Sequence, residues 1–175
     1  FYNAFKSTAE QFKEVPHSLN EVFLPLGRAG EPRNARVCNA KITYAKNPVL
    51  RKSAYSGMLF NGSGRPLDPA GYSCTLPASM GGNRTPIIDE EQLYKTKEGF
   101  IFKYHQHLVS GGEPYIGEAP KHIRRLTIDE CLAIQTFPSN LILEGRRSIL
   151  YKQIGNAVPR KLAAAVAKTV KRFLE

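Results

Sequence analysis

The sequence has no long hydrophobic run and no recognisable export signal. No stretch of its 175 residues approaches the ~20 consecutive apolar residues that span a bilayer. The first residues, Phe-Tyr-Asn-Ala-Phe, lack the basic segment and apolar core of a signal peptide. We therefore expect a soluble, cytoplasmic protein with no membrane partner. Because the first residue is not Met, we also expect a piece of a longer protein, or a chain whose beginning is missing.

Cysteine is scarce as well. Cys38, Cys74 and Cys131 are far apart and form no C-x-x-C pair, which argues against a disulfide framework and a cysteine-rich zinc site. A reducing cytosol fits this usage. The pair His105-x-His107 is predicted to lie on one face of a strand, a spacing that metals can use, but no third ligand is evident. We therefore predict no metal.

Acidic residues are too few to balance the basic ones. The 15 Asp and Glu face 25 Lys and Arg, so the formal net charge is +10 and the pI is near 9.7. Such an excess predicts a polyanionic partner, with nucleic acid as the first candidate. It could equally balance an acidic partner domain or mark a ribosome-associated protein. The 42% hydrophobic residues, 10% of the chain being aromatic, indicate a folded protein.

The pattern along the chain predicts an α+β fold with an irregular middle. Residues 1–34 read as a short helix and an irregular linker into the domain. Strands are predicted at 35–44, 87–88 and 99–104. The stretch 46–89 is dense in Gly, Pro, Ser and Asn, has almost no helical period, and is long enough to indicate a functional or disordered segment. Its apolar residues favour a functional one.

Two helices are predicted near the C-terminus. Thr127 and Glu130 form a capping box, which predicts a helix over 128–135. A second helix is predicted to begin near Pro159. It carries an apolar stripe that must be buried somewhere, formed by Leu162, Val166, Val170 and Phe173.

Two C-terminal blocks carry a specific residue order. RRLTIDECLAIQTFP runs from Arg124 to Pro138 and contains the pattern R-x-L-T-x-x-E. YKQIGNAVPRKLAAAVAKTV runs from Tyr151 to Val170 and contains Q-x-G-N-x-V. In this order and spacing they resemble the ninth and tenth conserved motifs of DNA (cytosine-5) methyltransferases. The resemblance extends from about Pro48 to the C-terminus.

The resemblance implies a division of the chain. Residues 35–119 would be a small, irregular, β-rich target recognition domain, which enters the DNA major groove with two loops. Residues 120–148 would hold the ninth-motif helix, and 149–175 the tenth-motif helix. These C-terminal helices would pack on an α/β S-adenosylmethionine-dependent catalytic domain that this chain lacks.

The first predicted recognition loop is Phe60-Asn-Gly-Ser-Gly-Arg65. Its glycines would let the backbone approach bases, and Asn61 belongs to the predicted contact set. Arg65 can donate two parallel hydrogen bonds to guanine O6 and N7, which are worth about 1–3 kcal/mol of discrimination. Without the family context, the same residues would read as a Gly-rich turn with a solvated Arg.

The second predicted loop runs from Thr75 to Thr85. Its Thr-Leu pair resembles the dipeptide with which these recognition domains contact the DNA backbone near the extruded cytosine. Asn83 could pair with adenine, and Arg84 with guanine or phosphate. The predicted DNA-contacting residues here are Thr75, Leu76, Gly81, Gly82, Asn83, Arg84 and Thr85.

A basic, hydroxyl-bearing cluster precedes the first loop. It consists of Arg51, Lys52, Ser53 and Tyr55, and phosphate contact is its predicted role. A solvated basic face is the alternative. Further along, the resemblance places Asn156, Ala157 and Val158 at the border of S-adenosylmethionine, with Gly155 permitting a tight turn.

The family's catalytic motifs are absent from the sequence. Its nucleophile lies in Pro-Cys and its ring-protonating Glu in Glu-Asn-Val, and neither motif occurs, nor does the Gly-rich cofactor loop. We therefore predict no catalytic residue in this chain, and structural roles for its cysteines. Alone it would be inactive.

The resemblance thus predicts the sequence-reading part of an enzyme that methylates carbon 5 of cytosine in duplex DNA, in a bacterial restriction-modification system. The expected partners are double-stranded DNA and the catalytic domain or subunit of the same methyltransferase. Two alternatives remain: a natural small subunit of a split methyltransferase, and a non-catalytic DNA-binding or regulatory protein. An RNA-binding protein is more distant, since no RNA-binding signature occurs.

Overall fold

The computed structural model describes residues 2–95 and 98–175, which form short helices and two small antiparallel sheets. The helices are α1 (Tyr2–Glu10), α2 (Leu19–Phe23), α3 (Glu90–Lys95), α4 (Phe100–Val109), α5 (Ile128–Ile134), α6 (Arg147–Asn156) and α7 (Arg160–Leu174), with a 3₁₀ turn at Leu24–Leu26. The strands are β1 (Tyr44–Val49), β2 (Met58–Phe60), β3 (Ile87–Asp89) and β4 (Ile123–Arg125). The α+β prediction is confirmed.

The sheet formed by β3 and β4 separates two hydrophobic cores. Because side chains alternate along a strand, Ile88 enters the first core while Ile87 enters the second. Arg124 pairs with Ile88 and Arg125 with Ile87, so the two arginines point to opposite faces. β4 follows the predicted boundary at residue 119 yet pairs with β3, which precedes it. The two predicted regions therefore share one sheet.

The first core combines side chains of α2, α5 and α6 with others from β3, α3 and the loops between the elements. Its buried side chains include Leu19, Phe23, Leu76, Leu126, Leu132 and Tyr151. Residues 1–34, predicted as a linker, thus supply two of these buried side chains from α2. The Tyr151 hydroxyl donates to the carbonyl of Leu126 at 2.6 Å, which joins α6 to the end of β4.

The second core exposes two errors of the strand predictions. Residues 35–42 form no strand, and β1 begins at Tyr44, where the predicted strand ends. The predicted strand at 99–104 is the beginning of α4, which Gly99 precedes as its N-cap residue. The buried side chains of α4 recur at the three- and four-residue spacing of a helix face: Ile101, Tyr104, His105 and Leu108.

Asp89 explains where α4 begins. Its carboxylate accepts hydrogen bonds from the backbone N–H of Phe100 at 2.8 Å and of Glu91 at 3.0 Å. One buried carboxylate therefore satisfies orphan donors at the beginnings of both α3 and α4. In the described part of residues 35–119 these two helices accompany three short strands, so the region is mixed rather than β-rich.

The two helices predicted near the C-terminus are present, but the structure has a third, α6 (Arg147–Asn156), that was not predicted. Thr127 and Glu130 form the capping box, and α5 ends at Ile134, one residue before the predicted end. α7 begins directly after Pro159. Its predicted stripe is 37–55% exposed. α1 lies along α7, with the Phe5 and Phe173 ring centroids 6.3 Å apart.

No helix in the described ranges is long and apolar enough to cross a membrane.

Candidate nucleic-acid interface

The two predicted recognition loops lie side by side. The backbone N–H of Gly64 donates to the carbonyl of Asn83 at 3.1 Å. The backbone N–H of Ile87 donates to the carbonyl of Arg65 at 2.9 Å. Pro66 and Ile87 form a parallel bridge just beyond. Residues 61–67 therefore run alongside 83–87, and the two loops form one continuous surface.

The glycines of the first loop permit this close approach. A Cβ on Gly62 would overlap the carbonyl oxygen of Asn83, and one on Gly64 would overlap that of Thr85. Gly62 also has φ +78°, in the left-handed region that favours glycine. The sequence predicted an approach of the backbone to DNA bases, whereas the approach that these glycines serve is to the second loop.

Arg125 lies beneath both loops and is only 2% exposed. Its Nη1 donates to the carbonyls of Thr85 at 2.8 Å and Asn83 at 3.2 Å. Its Nη2 donates to the carbonyl of Asn61 at 3.0 Å and to the Asn61 side-chain Oδ1 at 3.1 Å. Burial lowers the pKa of this guanidinium. The sequence prediction missed Arg125, since it occupies the variable x of R-x-L-T.

Asn61 is already engaged inside the chain. Its Oδ1 also accepts from the backbone N–H of Thr43 at 3.2 Å, and its Nδ2 donates to the carbonyl of Lys41 at 3.0 Å. Its amide therefore holds the first loop against Arg125 and against the segment that leads into β1, and has little capacity left to read a base.

The exposed side chains of the two loops border a common cleft of about 380 Å³. Arg65 and Arg84 both lie on it, so the structure brings together the two strongest predicted base readers. The other lining residues are Ser63, Cys74, Thr75, Pro77, Ser79 and Pro86. Asn83 is exposed nearby, and Gly81 and Gly82 are half-buried.

Leu76 and Thr85 belong to the predicted contact set but are buried. Leu76 packs in the first core. The Thr85 hydroxyl accepts from the backbone N–H of Gly81 at 2.9 Å, which closes the turn that presents Asn83 and Arg84. Both residues therefore shape the loop from inside.

The basic cluster before the first loop is exposed at Arg51, Lys52 and Ser53. Tyr55 is half-buried, and its hydroxyl exchanges hydrogen bonds with the Gln92 amide at 2.9 and 3.1 Å. The carbonyl of Arg51 is held by Nε2 of the buried His105 at 2.7 Å. The hydrogen bond between Arg51 and His105 thus attaches the cluster to α4.

The prediction that His105 and His107 share one strand face is wrong, because both lie on α4. His105 is buried against Arg51, whereas His107 Nε2 lies 2.9 Å from the carbonyl of Glu113. In residues 2–95 and 98–175 no group of three or more His, Cys, Asp or Glu could hold a metal.

Two of the three cysteines, Cys74 and Cys131, have a thiol whose pKa is raised. Burial raises the pKa of Cys74, and it raises that of the fully buried Cys131 well above the ordinary value. A nucleophilic Cys needs the opposite, a lowered pKa or an adjacent base.

The R-x-L-T-x-x-E signature forms a buried ion network. Arg124 donates to both carboxylate oxygens of Glu130, at 2.7 and 2.9 Å, and to Glu90 at 3.3 Å. Asn34 and the backbone N–H of Thr127 also donate to Glu130, at 3.2 and 2.9 Å. Burial alone would lower the pKa of Arg124, but its bonds to Glu130 and Glu90 raise it. The motif therefore fixes α5 to the β3–β4 sheet.

The tenth-motif block packs directly on the second loop. Gly155 lies within α6, where a Cβ would stand 2.5 Å from the carbonyl oxygen of Pro77 and 2.8 Å from Ala78 Cα. The predicted tight turn at Gly155 is thus wrong, and close packing explains the glycine. Gln135 of the first block donates to the carbonyl of Ile154 at 3.0 Å, which ties the two blocks together.

Of the predicted cofactor-bordering residues, Asn156 is the last residue of α6, and Ala157 and Val158 lie in the connection between α6 and α7. Asn156 and Val158 are exposed, and Ala157 is half-buried. Ala157 also lines a groove of about 430 Å³ whose other lining residues include Thr75 and Leu76. The structure therefore places the predicted cofactor-bordering segment next to the Thr-Leu pair.

Two basic residues near the second loop escaped the sequence prediction. Arg146 and Arg147 are exposed where α6 begins. The following residue, Ser148, has its Cα 3.3 Å from the position of a Cβ on Gly81. The adjacent basic pair was the available sequence signal, but its place beside the loop depends on the tertiary fold.

Gly155→Ala is expected to destabilise the chain, although this change usually stabilises a helix by about 1 kcal/mol. The added methyl would meet backbone atoms of Pro77 and Ala78 that cannot move freely, and such overpacking costs about 1–3 kcal/mol. The urea unfolding midpoint measures the effect. Lys152→Ala, at an exposed position of the same helix, is the matched control. A raised midpoint for Gly155→Ala would show that Pro77 does not pack there.

Comparison with known proteins identifies the family. The family described as C-5 cytosine-specific DNA methylase matches residues 6–172. Because this match covers nearly the whole chain, the chain belongs to that family.

Individual relatives are type II methyltransferases. The chain is 50% identical over 56 residues to M.Eco47II of Escherichia coli, a match covering 32% of the chain and 13% of the relative. It is 38% identical over 92 residues to M.Bpa9945I of Bacillus paralicheniformis, covering 46% and 21%. It is 33% identical over 106 residues to M.NgoPII of Neisseria gonorrhoeae, covering 57% and 31%. The matched segments thus span less than a third of each relative.

Proposed function

We propose that this chain is the target-recognition part of a DNA (cytosine-5) methyltransferase, and that it reads a specific sequence in duplex DNA. The observation that carries the proposal is the common cleft of the two loops. Arg65 and Arg84 border it from separate loops, held side by side by backbone hydrogen bonds. Two exposed guanidinium groups on a preformed surface suit bidentate readout of guanine in the major groove.

The proposed contacts divide into base readers and phosphate contacts. Arg65, Arg84 and Asn83 read base edges, and Thr75 contacts the DNA backbone. The backbone of Gly81 and Gly82 approaches the bases. Phosphates are held by Arg51, Lys52 and Ser53, and also by Arg146 and Arg147, whereas the Tyr55 hydroxyl is already bonded to Gln92. Asn61, Leu76 and Thr85 support the loops from within, because their polar groups or side chains are already engaged.

The net charge of +10 supports this assignment. Lys and Arg that neutralise phosphates release condensed counterions, so affinity falls steeply with salt. Phosphate contacts supply affinity and orientation, while the two arginines on the cleft supply discrimination between sequences.

S-adenosylmethionine, when bound, supplies the methyl group that the whole enzyme transfers to carbon 5 of a flipped-out cytosine. Asn156, Ala157 and Val158 would form one wall of its site. The Asn156 side chain is exposed and forms no hydrogen bond within the described residues, so its amide can both donate and accept. The remaining walls and the catalytic Cys and Glu would come from the catalytic domain, and this chain alone is inactive. A restriction-modification setting is proposed because the relatives are type II methyltransferases.

The test is selection of duplexes from a random-sequence pool. The chain, together with the polypeptide encoded immediately upstream, is incubated with the pool at moderate salt, and bound duplexes are sequenced over successive rounds. We expect one short sequence to be enriched. Uniform recovery of all sequences, or preferential recovery of an RNA pool run in parallel, would contradict the proposal.

A further inference from the structure

The guanidinium of Arg125 is a buried cation without a carboxylate partner among the described residues. Its neighbour Arg124 is bound by Glu130 and Glu90, whereas the partners of Arg125 in the described chain are three backbone carbonyls and one side-chain amide oxygen. Its Nε has no hydrogen-bond partner in the described chain. Burying a cation with incomplete compensation costs stability. Because the burial of Arg125 lowers stability, its presence is better explained by a contribution to function than by one to stability.

The acceptors of Arg125 indicate that reason. Two of them belong to Asn61 in the first loop, and two are the carbonyls of Asn83 and Thr85 in the second. Nη2 of the planar guanidinium fork donates to the first loop, and Nη1 donates to the second. Because the fork is rigid, it fixes the distance and the relative orientation of the two loop backbones.

The side chains that face the cleft depend on that orientation. Asn83 and Arg84 are adjacent on the second loop, and Arg65 follows Gly64, whose N–H donates to the same Asn83 carbonyl that Arg125 binds. A shift of one loop along the other would separate the guanidinium groups of Arg65 and Arg84. Base readout needs both groups within hydrogen-bond reach of particular base edges.

We propose that Arg125 is a specificity-determining positioning residue: its buried fork holds the two recognition loops in the register at which Arg65 and Arg84 read DNA together. The inference rests on the proposed function and goes beyond it, since Arg125 itself contacts no DNA. Lysine cannot replace it, because an ammonium is a point charge without the fork that serves both loops at once.

The test compares Arg125→Lys with Arg124→Lys. The two positions are adjacent on β4, both changes keep the charge, and both remove a guanidinium fork from a buried network. Only Arg125 contacts the loops. Each variant is prepared with the upstream polypeptide, and its affinity is measured for the duplex selected by the unmodified protein and for a scrambled duplex. Amide hydrogen exchange is followed at Gly64 and Ile87.

For Arg125→Lys we expect roughly a tenfold or greater loss of the affinity ratio between the selected and the scrambled duplex. Exchange at Gly64 and Ile87 should accelerate, while binding to the scrambled duplex changes little. For Arg124→Lys we expect lower thermal stability with an unchanged ratio. The positive charge that Lys keeps at position 125 is not expected to preserve the affinity ratio, because the ammonium group cannot bind both loops at once.

The outcomes separate the inference from the proposed function. If the unmodified protein selects no sequence, the proposed function fails. If it selects one and Arg125→Lys keeps both the ratio and the exchange rates, only the inference fails. If Arg125→Lys does not fold, Asn61→Ala decides: it leaves Arg125 in place and removes one acceptor of the fork, together with the side-chain contacts to Thr43 and Lys41. A reduced ratio for Asn61→Ala then supports the inference, and an unchanged ratio overturns it.

Discussion

Glu130→Gln is expected to destabilise the chain by about 3–5 kcal/mol, the cost of leaving a buried charge without its partner. Gln can still close the capping box of α5, because its amide oxygen accepts a hydrogen bond. What is lost is the negative charge that Arg124 faces at 2.7 and 2.9 Å in a site where Glu130 is fully buried. Glu90, at 3.3 Å from Nε, compensates only in part.

The measurement is the free energy of unfolding from urea titration, with Glu118→Gln as control. Glu118 pairs with Lys41 at 2.6 Å, but both side chains are exposed, so this change should leave the midpoint where it is. Equal shifts for the two variants would show that burial does not distinguish the two pairs, and would contradict the role assigned to the R-x-L-T-x-x-E signature.

Arg65→Ala and Arg84→Ala are expected to reduce discrimination between the selected duplex and single-base variants by about 1–3 kcal/mol each. Each arginine offers two donors to one guanine, so the loss should fall on one base pair and spare the others. Lys52→Ala, in the basic cluster, should instead weaken binding to all sequences equally and reduce the salt-dependence slope by about 1.

Competition binding against a panel of single-base variants, repeated at several salt concentrations, separates these effects. Lys103→Ala serves as control, since Lys103 is an exposed basic residue of α4 outside both loops and the basic cluster. If Arg65→Ala and Lys52→Ala behave alike, with uniform weakening and no altered base preference, Arg65 is a phosphate contact and not a reader.

Local sequence signals predicted the elements whose formation depends on nearby residues. The capping box at Thr127 and Glu130 specifies the beginning of α5 through contacts three residues apart. Pro159 likewise marks where α7 begins. The strand at Ile87 and Ile88 was predicted because β-branched residues favour a pleated, half-buried surface.

The strand prediction around α4 was wrong because the residue types there favour a strand while the spacing of the apolar residues is that of a helix. The segment Phe100–Tyr104 is aromatic and β-branched, which favours a strand, and its helical spacing becomes visible only when His105 and Leu108 are included. The deciding contact is also distant in sequence, because Asp89 binds the N–H of Phe100 from eleven residues away. Tertiary context here outweighs local propensity.

Within the candidate site, the sequence predicted the exposed side chains that border the cleft. It did not predict the buried contacts that hold the two loops in place. Arg65 and Arg84 lie on one cleft as the two-loop interpretation requires. The supports could not be predicted, because Arg125 contacts residues 40 and 64 positions away in sequence. The contacts of the Asn61 side chain could not be predicted for the same reason, since its partners Thr43 and Lys41 become neighbours only in the fold.

The most direct test of the central claim is methyl transfer from labelled S-adenosylmethionine to duplex DNA that contains the selected sequence. Three samples are compared: this chain alone, the upstream polypeptide alone, and the two together. We predict transfer only in the combined sample, on cytosines of the selected sequence. Transfer by this chain alone would contradict the prediction that it contains no catalytic residue. No transfer in the combined sample, despite sequence-specific binding, would contradict the claim that this is the recognition part of an active methyltransferase and would favour a non-catalytic DNA-binding protein.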